Sequence, residues 1–258
     1  DAPVSDYVSV LRREIDLVSA RLDNPPLVRH VHFGGGTPTI MEPRALRDLV
    51  AQMRARFPFD PGAELAIEID PLTLTDEMTD AIGTAGVTRA SLGVQSFDPV
   101  VQEAIRRRQS FGSTEHAVRG LRAAGVGGIN LDLIYGLPHQ TVASCVETAM
   151  MCLELRPERL AVFGYAHVPS FKKHQRHIDE ADLPDGEARR AQAEAIAGVL
   201  AEAGYRRIGL DHYARPDDPM GAAHADGTLR RNFQGYTTDP SDVLIGLGAS
   251  AIGRMPQG

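Results

Sequence analysis

Apolar residues at Val8, Leu11, Ile15, Val18 and Leu22 recur with the 3.6-residue period and predict a helix over 5–22. Downstream, short β-branched runs alternate with further stretches of helical period. The pattern predicts strands over 28–33, 64–70, 88–94, 128–134, 159–165 and 205–210, and helices over 42–56, 75–85, 113–124, 141–155 and 186–203. A strand repeatedly followed by a helix implies right-handed crossovers and a parallel sheet. The apolar run Val243-Leu244-Ile245-Gly246-Leu247-Gly248-Ala249 reads as one more short strand. Two long connections, 168–184 and 211–242, are rich in Pro, Asp, Arg and His. Connections of that length in a compact fold tend to carry function.

Within the strands, side chains alternate between faces. Leu65, Ile67 and Ile69 share the face that packs under helices, whereas Ala66, Glu68 and Asp70 point the other way. Ile129, Leu131 and Leu133 repeat the pattern, with Asn130 and Asp132 opposite. A carboxylate on the inner face of a barrel is costly unless paired. Each is therefore either half of a structural ion pair or part of a polar ligand cavity. The strand ends favour the cavity. The first strand closes on Gly34-Gly35-Gly36-Thr37-Pro38, and others end in Gly93-Val94-Gln95-Ser96-Phe97, Tyr135-Gly136-Leu137-Pro138 and Tyr165-Ala166-His167. Three successive glycines are expensive to order and are kept where backbone turns sharply or approaches a ligand. The spacing lacks the G-x-G-x-x-G pattern that opens directly into a helix, which argues against a dinucleotide-binding fold. The expected fold is α/β, a partial (β/α) barrel with a mostly parallel sheet, whose site lies at the carboxyl ends of the strands.

Composition narrows the class. The chain has 258 residues, 43% hydrophobic and 24% charged, with a formal net charge of −7. Such a balance argues against a nucleic-acid surface, and no apolar run approaches the roughly 20 residues of a membrane span. Asp1-Ala2-Pro3 carries no signal-peptide pattern, so a cytoplasmic protein is expected. The two cysteines, Cys145 and Cys152, fall seven apart on one expected helix, about 10 Å at 1.5 Å per residue, beyond disulfide reach. They are read as buried free thiols. His30 and His32 have a spacing compatible with metal binding but are read as ordinary strand residues. Arg106-Arg107-Arg108 is read as a solvated charge run from which one member could reach the cavity.

Taken together, the motifs resemble those of the radical S-adenosylmethionine enzymes and, within them, the oxygen-independent coproporphyrinogen III oxidases. The resemblance rests on Phe33-Gly34-Gly35-Gly36-Thr37-Pro38-Thr39, Ile67-Glu68-Ile69-Asp70-Pro71, Ser91-Leu92-Gly93-Val94-Gln95-Ser96-Phe97 and Asn130-Leu131-Asp132-Leu133-Ile134-Tyr135-Gly136-Leu137-Pro138. Tyr165-Ala166-His167, Asp211-His212-Tyr213-Ala214-Arg215-Pro216 and Arg231-Asn232-Phe233-Gln234-Gly235-Tyr236 extend it, so that it runs from about residue 5 to Ile252. It implies one radical S-adenosylmethionine core domain over 1–258. It also implies a [4Fe–4S] cluster and two molecules of S-adenosylmethionine. Gly35, Glu68 and Ile252 would contact the first molecule. Gly36, Thr37, Gln95, Arg107, Asp132 and Ala166 would contact the second. Phe233 and Gln234 would border the substrate.

The family reaction is the oxidative decarboxylation of coproporphyrinogen III to protoporphyrinogen IX. A 5′-deoxyadenosyl radical takes hydrogen from a propionate arm, and loss of CO2 leaves a vinyl group. An electron donor is implied as a partner, with no nucleic acid or membrane, and a monomer is expected. A haem-binding chaperone or another porphyrin-directed radical enzyme would share the scaffold. The family's Cys-x3-Cys-x2-Cys motif falls before the segment that begins here, so the chain is expected to be the core of a larger protein, without cluster ligands of its own. The resemblance does not identify the groups that hold the propionates; Arg215, Arg230 and Arg231 lie in the long segment and are candidates.

Overall fold

The computed structural model describes residues 2–232 and 235–255. The chain runs through helix α1 (Ala2–Ser19), strand β1 (Val28–Phe33), α2 (Pro43–Arg56), β2 (Phe59–Ile69), α3 (Asp76–Ala85) and β3 (Arg89–Gln95). It continues through α4 (Pro99–Ala104), α5 (Phe111–Ala123), β4 (Gly128–Tyr135), α6 (Val142–Glu154), β5 (Arg159–Gly164) and α7 (Gly186–Glu202). Short elements close it: β6 (Arg206–Ile208), β7 (His212–Ala214), α8 (Pro219–Ala225), β8 (Arg230–Asn232) and β9 (Gly235–Thr237).

The helices begin where the sequence supplies caps. Thr75 accepts the Met78 N–H at 3.2 Å to open α3, and Gly86, at φ 75°, closes it in the left-handed conformation. Asp98 accepts the N–H groups of Val100 and Val101 ahead of Pro99, the first residue of α4. Thr141 and Ser144 form a reciprocal capping box on α6. Asp185 accepts the Ala188 N–H at 2.8 Å to start α7.

Seven strands form a sheet in the order β1-β2-β3-β4-β5-β7-β6, with β1 and β6 at its two ends. β1 runs parallel to β2, and β4 runs parallel to β5 with Leu131 opposite Leu160 and Leu133 opposite Val162. The expected mostly parallel α/β sheet is therefore present.

The carboxyl-terminal region departs from expectation. The strand expected over 205–210 is reduced to Arg206–Ile208 and pairs antiparallel with β7, a strand not foreseen. β7 in turn runs antiparallel to β5. The run 243–249 is not a strand; it makes one isolated bridge, Leu244 to Arg254. Gly248 at φ 95° turns the backbone out of extended geometry, and Gly246 packs where a Cβ would lie 2.7 Å from the Ile252 carbonyl carbon.

The chain divides into two compact units. One comprises Asp1–Ser91, Arg119–Gly127 and Gly227–Gly258. Its core packs Ile15, Leu46, Leu49, Leu65, Ile67, Ile82 and Leu121, all essentially without solvent contact. The other comprises Leu92–Val118 and Gly128–Asp226. Its core is built on Val101, Ile129, Leu131, Leu133, Leu160, Ile196 and Leu200. Burial of each such aliphatic side chain contributes about 1.5–3 kcal/mol. Both cysteines lie buried and unpaired on α6. Burial pushes the Cys145 thiol up to about 12, with Asp98 adding to the shift, and raises the Cys152 thiol as well.

Candidate functional site

In the first unit the parallel register sets the geometry. His32 lies opposite Ala66 and Phe33 opposite Ile67, so the chain leaves β1 beside the residue that follows Ile67, Glu68. His32 and Gly34 share one face of β1, as Ala66 and Glu68 share one face of β2. Gly34 has no side chain, and His32 and Glu68 meet across that gap, with Nε2 and Oε1 at 3.2 Å. A Cβ on Gly34 would stand 2.5 Å from His32 Nε2 and 2.7 Å from Glu68 Oε1. Gly34 is thus required for close approach.

Burial by itself would raise the Glu68 carboxyl. Its hydrogen bond to His32, the His32 charge and the backbone N–H groups of Gly36 and Gly35 outweigh that, and hold it below 4.5. Gly35 and Gly36 adopt φ 86° and 145°, conformations open to glycine, which turn their N–H groups onto the carboxylate. Ser250 Oγ lies 3.1 Å from where a Gly35 Cβ would sit. Ile252, two residues on, is half exposed. The Ser250 segment is tied down by Gly248 N–H to Glu14 at 2.8 Å and Ala249 N–H to the Tyr7 hydroxyl at 3.0 Å. Thr37 precedes the short 3-10 turn Pro38–Ile40 without capping it through its side chain, and buried Thr39 has an Oγ1 with no partner.

In the second unit Gln95 and Arg107 meet over Gly93. A Cβ there would lie 2.9 Å from Gln95 Nε2 and 3.5 Å from an Arg107 terminal nitrogen. Arg107 donates to the Gly93 carbonyl at 3.1 Å. Its neighbour Arg108 pairs instead with Glu103, so two members of the triple-arginine run take different partners. Gln95 holds φ 67°, a strained region for a non-glycine residue. Buried Gln102 bolts the segment in place, donating to the carbonyls of Ser96 at 2.9 Å and Gln109 at 2.6 Å. Asp132 accepts from Asn130 Nδ2 at 2.7 Å. Its register partner on β5 is Ala161, five residues before Ala166, which lies in the loop after the strand. The Ala166 carbonyl accepts from buried Gln175 Nε2 at 3.0 Å. Arg189 of α7 donates to the Tyr165 carbonyl at 2.6 Å and packs where a Gly136 Cβ would lie 3.0 Å from its Nε.

Gly35, Gly36 and Glu68 thus come together at one strand end, with Ile252 near Gly35 through Ser250, and Gln95 and Arg107 come together at another. Phe233 and Gln234 lie outside the described residues. Sequence reasoning missed His32, set aside as an ordinary strand residue, and also Arg189 and Gln175. His32 was recoverable: once β1 and β2 are taken as parallel, a His two positions before a glycine can meet a Glu near the end of the adjacent strand. No comparable signal marks Arg189 or Gln175.

The donor set suits S-adenosylmethionine. An ionised carboxylate beside bare glycine backbone matches an ammonium and hydroxyls, and a guanidinium matches a carboxylate. It does not suit an iron–sulfur cluster. The only two cysteines of the chain are buried on one helix with thiols held protonated, and no group of three or more His, Cys, Asp or Glu poised for a metal occurs among the described residues. No helix among the described residues is long and apolar enough to cross a membrane.

The model of the Radical SAM superfamily matches residues 4–152, more than half of the chain. The oxygen-independent coproporphyrinogen III oxidase of Bradyrhizobium diazoefficiens is 60% identical over 258 residues, all of this chain and 57% of that protein. That of Pseudomonas aeruginosa is 44% identical over 251 residues, 96% of this chain and 55% of the relative. The solved structure of coproporphyrinogen III oxidase from Escherichia coli, described as a radical SAM enzyme, superposes with a TM-score of 0.94 at 38% identity, over 98% of this chain and 58% of its own. The chain spans a little over half the length of these relatives. With the family model covering strands β1 to β4 and both glycine-lined strand ends, the chain belongs to the radical SAM superfamily.

Proposed function

We propose that this chain is the core of an oxygen-independent coproporphyrinogen III oxidase, which converts two propionate arms of coproporphyrinogen III to vinyl groups with loss of CO2. The observation that carries the reading is the likeness, across the whole chain, to a named oxidase at 60% identity. The ionised Glu68 beside the glycine loop supports it.

When bound, S-adenosylmethionine supplies the one-electron chemistry. The chain's own residues bind and orient. Glu68 receives a cationic or hydroxyl group of one cofactor molecule, with His32 holding the carboxylate in position and Gly35 offering backbone. Ile252 offers an apolar surface beside it. Gly36, Thr37, Gln95, Arg107, Asp132 and Ala166 are proposed to hold a second molecule, Arg107 facing its carboxylate. Phe233 and Gln234 are proposed to border the substrate. The cluster's thiolates are not supplied by this chain. The same reading implies a one-electron donor as partner and a cytoplasmic monomer.

The test is anaerobic turnover by a chain of the relatives' full length that contains these residues, with product identified by mass. Protoporphyrinogen IX is expected. Tight haem binding without decarboxylation would instead identify a chaperone on the same scaffold, and an alkylated or ring-opened product another porphyrin-directed enzyme.

A further inference from the structure

Every lysine of this chain sits in one place. Among 258 residues with 27 Lys and Arg, the only lysines are Lys172 and Lys173. They occupy a turn just beyond the carboxyl end of β5. The turn is clasped by Gln175, 8% exposed, which donates to the Ala166 carbonyl at 3.0 Å and accepts the Val168 N–H at 2.7 Å. Phe171 and Lys172 both donate backbone N–H groups to the Val168 carbonyl. His177 Nε2 lies 3.1 Å from the Ala104 carbonyl oxygen. The result is a fixed turn that displays its side chains. Phe171 is 80% exposed, and Lys172 Nζ lies 5.4 Å from its ring centroid. Among the described residues neither lysine has a carboxylate partner, and Arg176 donates only to the Pro169 carbonyl.

The candidate arginines of the long segment are engaged. Arg215 grips Asp217 through two bonds of 3.0 and 2.8 Å, Arg230 pairs with Asp242 at 3.4 Å, and Arg231 stacks on Tyr236. A solvated charge run would be an adequate account of two surface lysines alone. It does not explain a buried clasp beneath them or an aromatic ring held in water beside them.

The surroundings select the kind of ligand. Between 168 and 187, Lys172, Lys173 and Arg176 are outnumbered by Asp179, Glu180, Asp182, Asp185 and Glu187. An acidic protein covering the roughly 800 Å² of a standard interface would press against those carboxylates as well. A compact polycarboxylate with an apolar body can engage the cationic turn alone. Lysine suits a carboxylate on a flexible arm, because its ammonium is a point charge on a mobile stem, free of the planar geometry a guanidinium imposes. An exposed phenyl face suits pyrrole rings.

We propose that the turn Phe171–His177 is a subsite for propionate arms of the tetrapyrrole, with Lys172 and Lys173 as its charges and Phe171 as its apolar contact. The proposal rests on the oxidase reading above and names which basic groups of the chain hold the substrate.

The experiment uses the full-length protein and coproporphyrin III, the stable fluorescent tetracarboxylate, as the binding probe. Fluorescence titration compares the parent with K172E/K173E and K172R/K173R. Loss of two charge contacts is expected to weaken binding about tenfold in the reversal variant, while the arginine variant stays within about threefold. The parent's affinity should fall with salt. Acetylation mapped by mass spectrometry should show Lys172 and Lys173 protected by coproporphyrin III, and less so by the dicarboxylate protoporphyrin IX. In turnover, the reversal variant should show raised KM with kcat retained. Unchanged affinity on charge reversal, absence of protection, or protection by an acidic reductant protein but not by porphyrin would each overturn the subsite. If the reversal variant keeps the parent's KM as well as its kcat, the subsite falls and the oxidase reading stands. If the parent makes no protoporphyrinogen, the oxidase reading itself falls.

Discussion

Gly34→Ala separates the two jobs a glycine can do, because at this position they give opposite predictions. The added Cβ would lie 2.5 Å from His32 Nε2 and 2.7 Å from Glu68 Oε1, so both atoms must retreat by about 1 Å to reach ordinary contact distance. Both belong to the far ends of side chains that keep about a third of their surface in water, at 33% and 39% exposure. They can therefore swing aside, and water can replace the broken contact. The loss is one partly exposed hydrogen bond, about 1 kcal/mol or less. Against it, Gly34 does not hold a positive φ, so alanine narrows the unfolded ensemble and returns about 0.4–1 kcal/mol. The net change in stability is predicted to lie within about 1 kcal/mol of zero, a shift in Tm under about 4 °C for a chain of this size.

The carboxylate, however, is no longer where the glycine N–H groups point. Binding of S-adenosylmethionine is predicted to fall by about tenfold, or 1.4 kcal/mol. Gly83→Ala provides the contrast, since its Cβ would lie 2.5 Å from the Ala124 backbone oxygen, which cannot swing. That substitution is predicted to cost about 1–3 kcal/mol by overpacking. Differential scanning calorimetry and equilibrium binding on the full-length protein would measure both. A Gly34→Ala protein as unstable as Gly83→Ala, or one that binds cofactor like the parent, would refute the reasoning.

Four further predictions follow from the structure. Gln95→Gly relieves a non-glycine residue at φ 67° and should raise stability by about 1 kcal/mol while weakening cofactor binding; a loss of stability in thermal melts would show that the strain was misjudged. Because the folded Glu68 carboxyl is held below 4.5, its contribution is present above that pH and disappears as pH falls through the folded value. The stability difference between the parent and Glu68→Gln should therefore shrink in acid, and a difference that grew on acidification would contradict the hydrogen-bond assignment. Cys145 and Cys152, buried with raised thiols, should resist a chromogenic disulfide reagent at pH 8 in the native chain and react fully in guanidinium. For the same reason iron–sulfur reconstitution of the 258-residue chain should give no stable [4Fe–4S] spectrum.

What could be read from the sequence follows the range of the forces involved. The early helices and parallel strands announce themselves through local periodicity, and burial enforces it: Leu65, Ile67 and Ile69 are buried together because they share one face of β2. The carboxyl-terminal region depends on pairings too short for any period to show. Three-residue strands such as His212–Ala214 are chosen by the partner they find, here β5, and not by their own alternation. The glycine loop and Glu68 were legible as chemistry. Their bond to His32 becomes legible only once β1 and β2 are taken as parallel neighbours, because it depends on the register between the two strands. The same limit hid Gln175, whose role as a clasp exists only once the chain after β5 has turned back on itself. Composition alone left Arg107 as one of three arginines and the resemblance singled it out, while the turn set by Gln102 holds the segment that carries it.

The most direct test joins the residue to the reaction. Anaerobic turnover of coproporphyrinogen III by the full-length protein, with released CO2 measured for the parent and for Glu68→Gln, addresses the cofactor site and the chemistry together. The parent is predicted to release CO2 and form protoporphyrinogen IX, and the variant to lose at least about tenfold in rate through its lost carboxylate contact. A parent that releases no CO2, or a variant that turns over like the parent, would contradict the account.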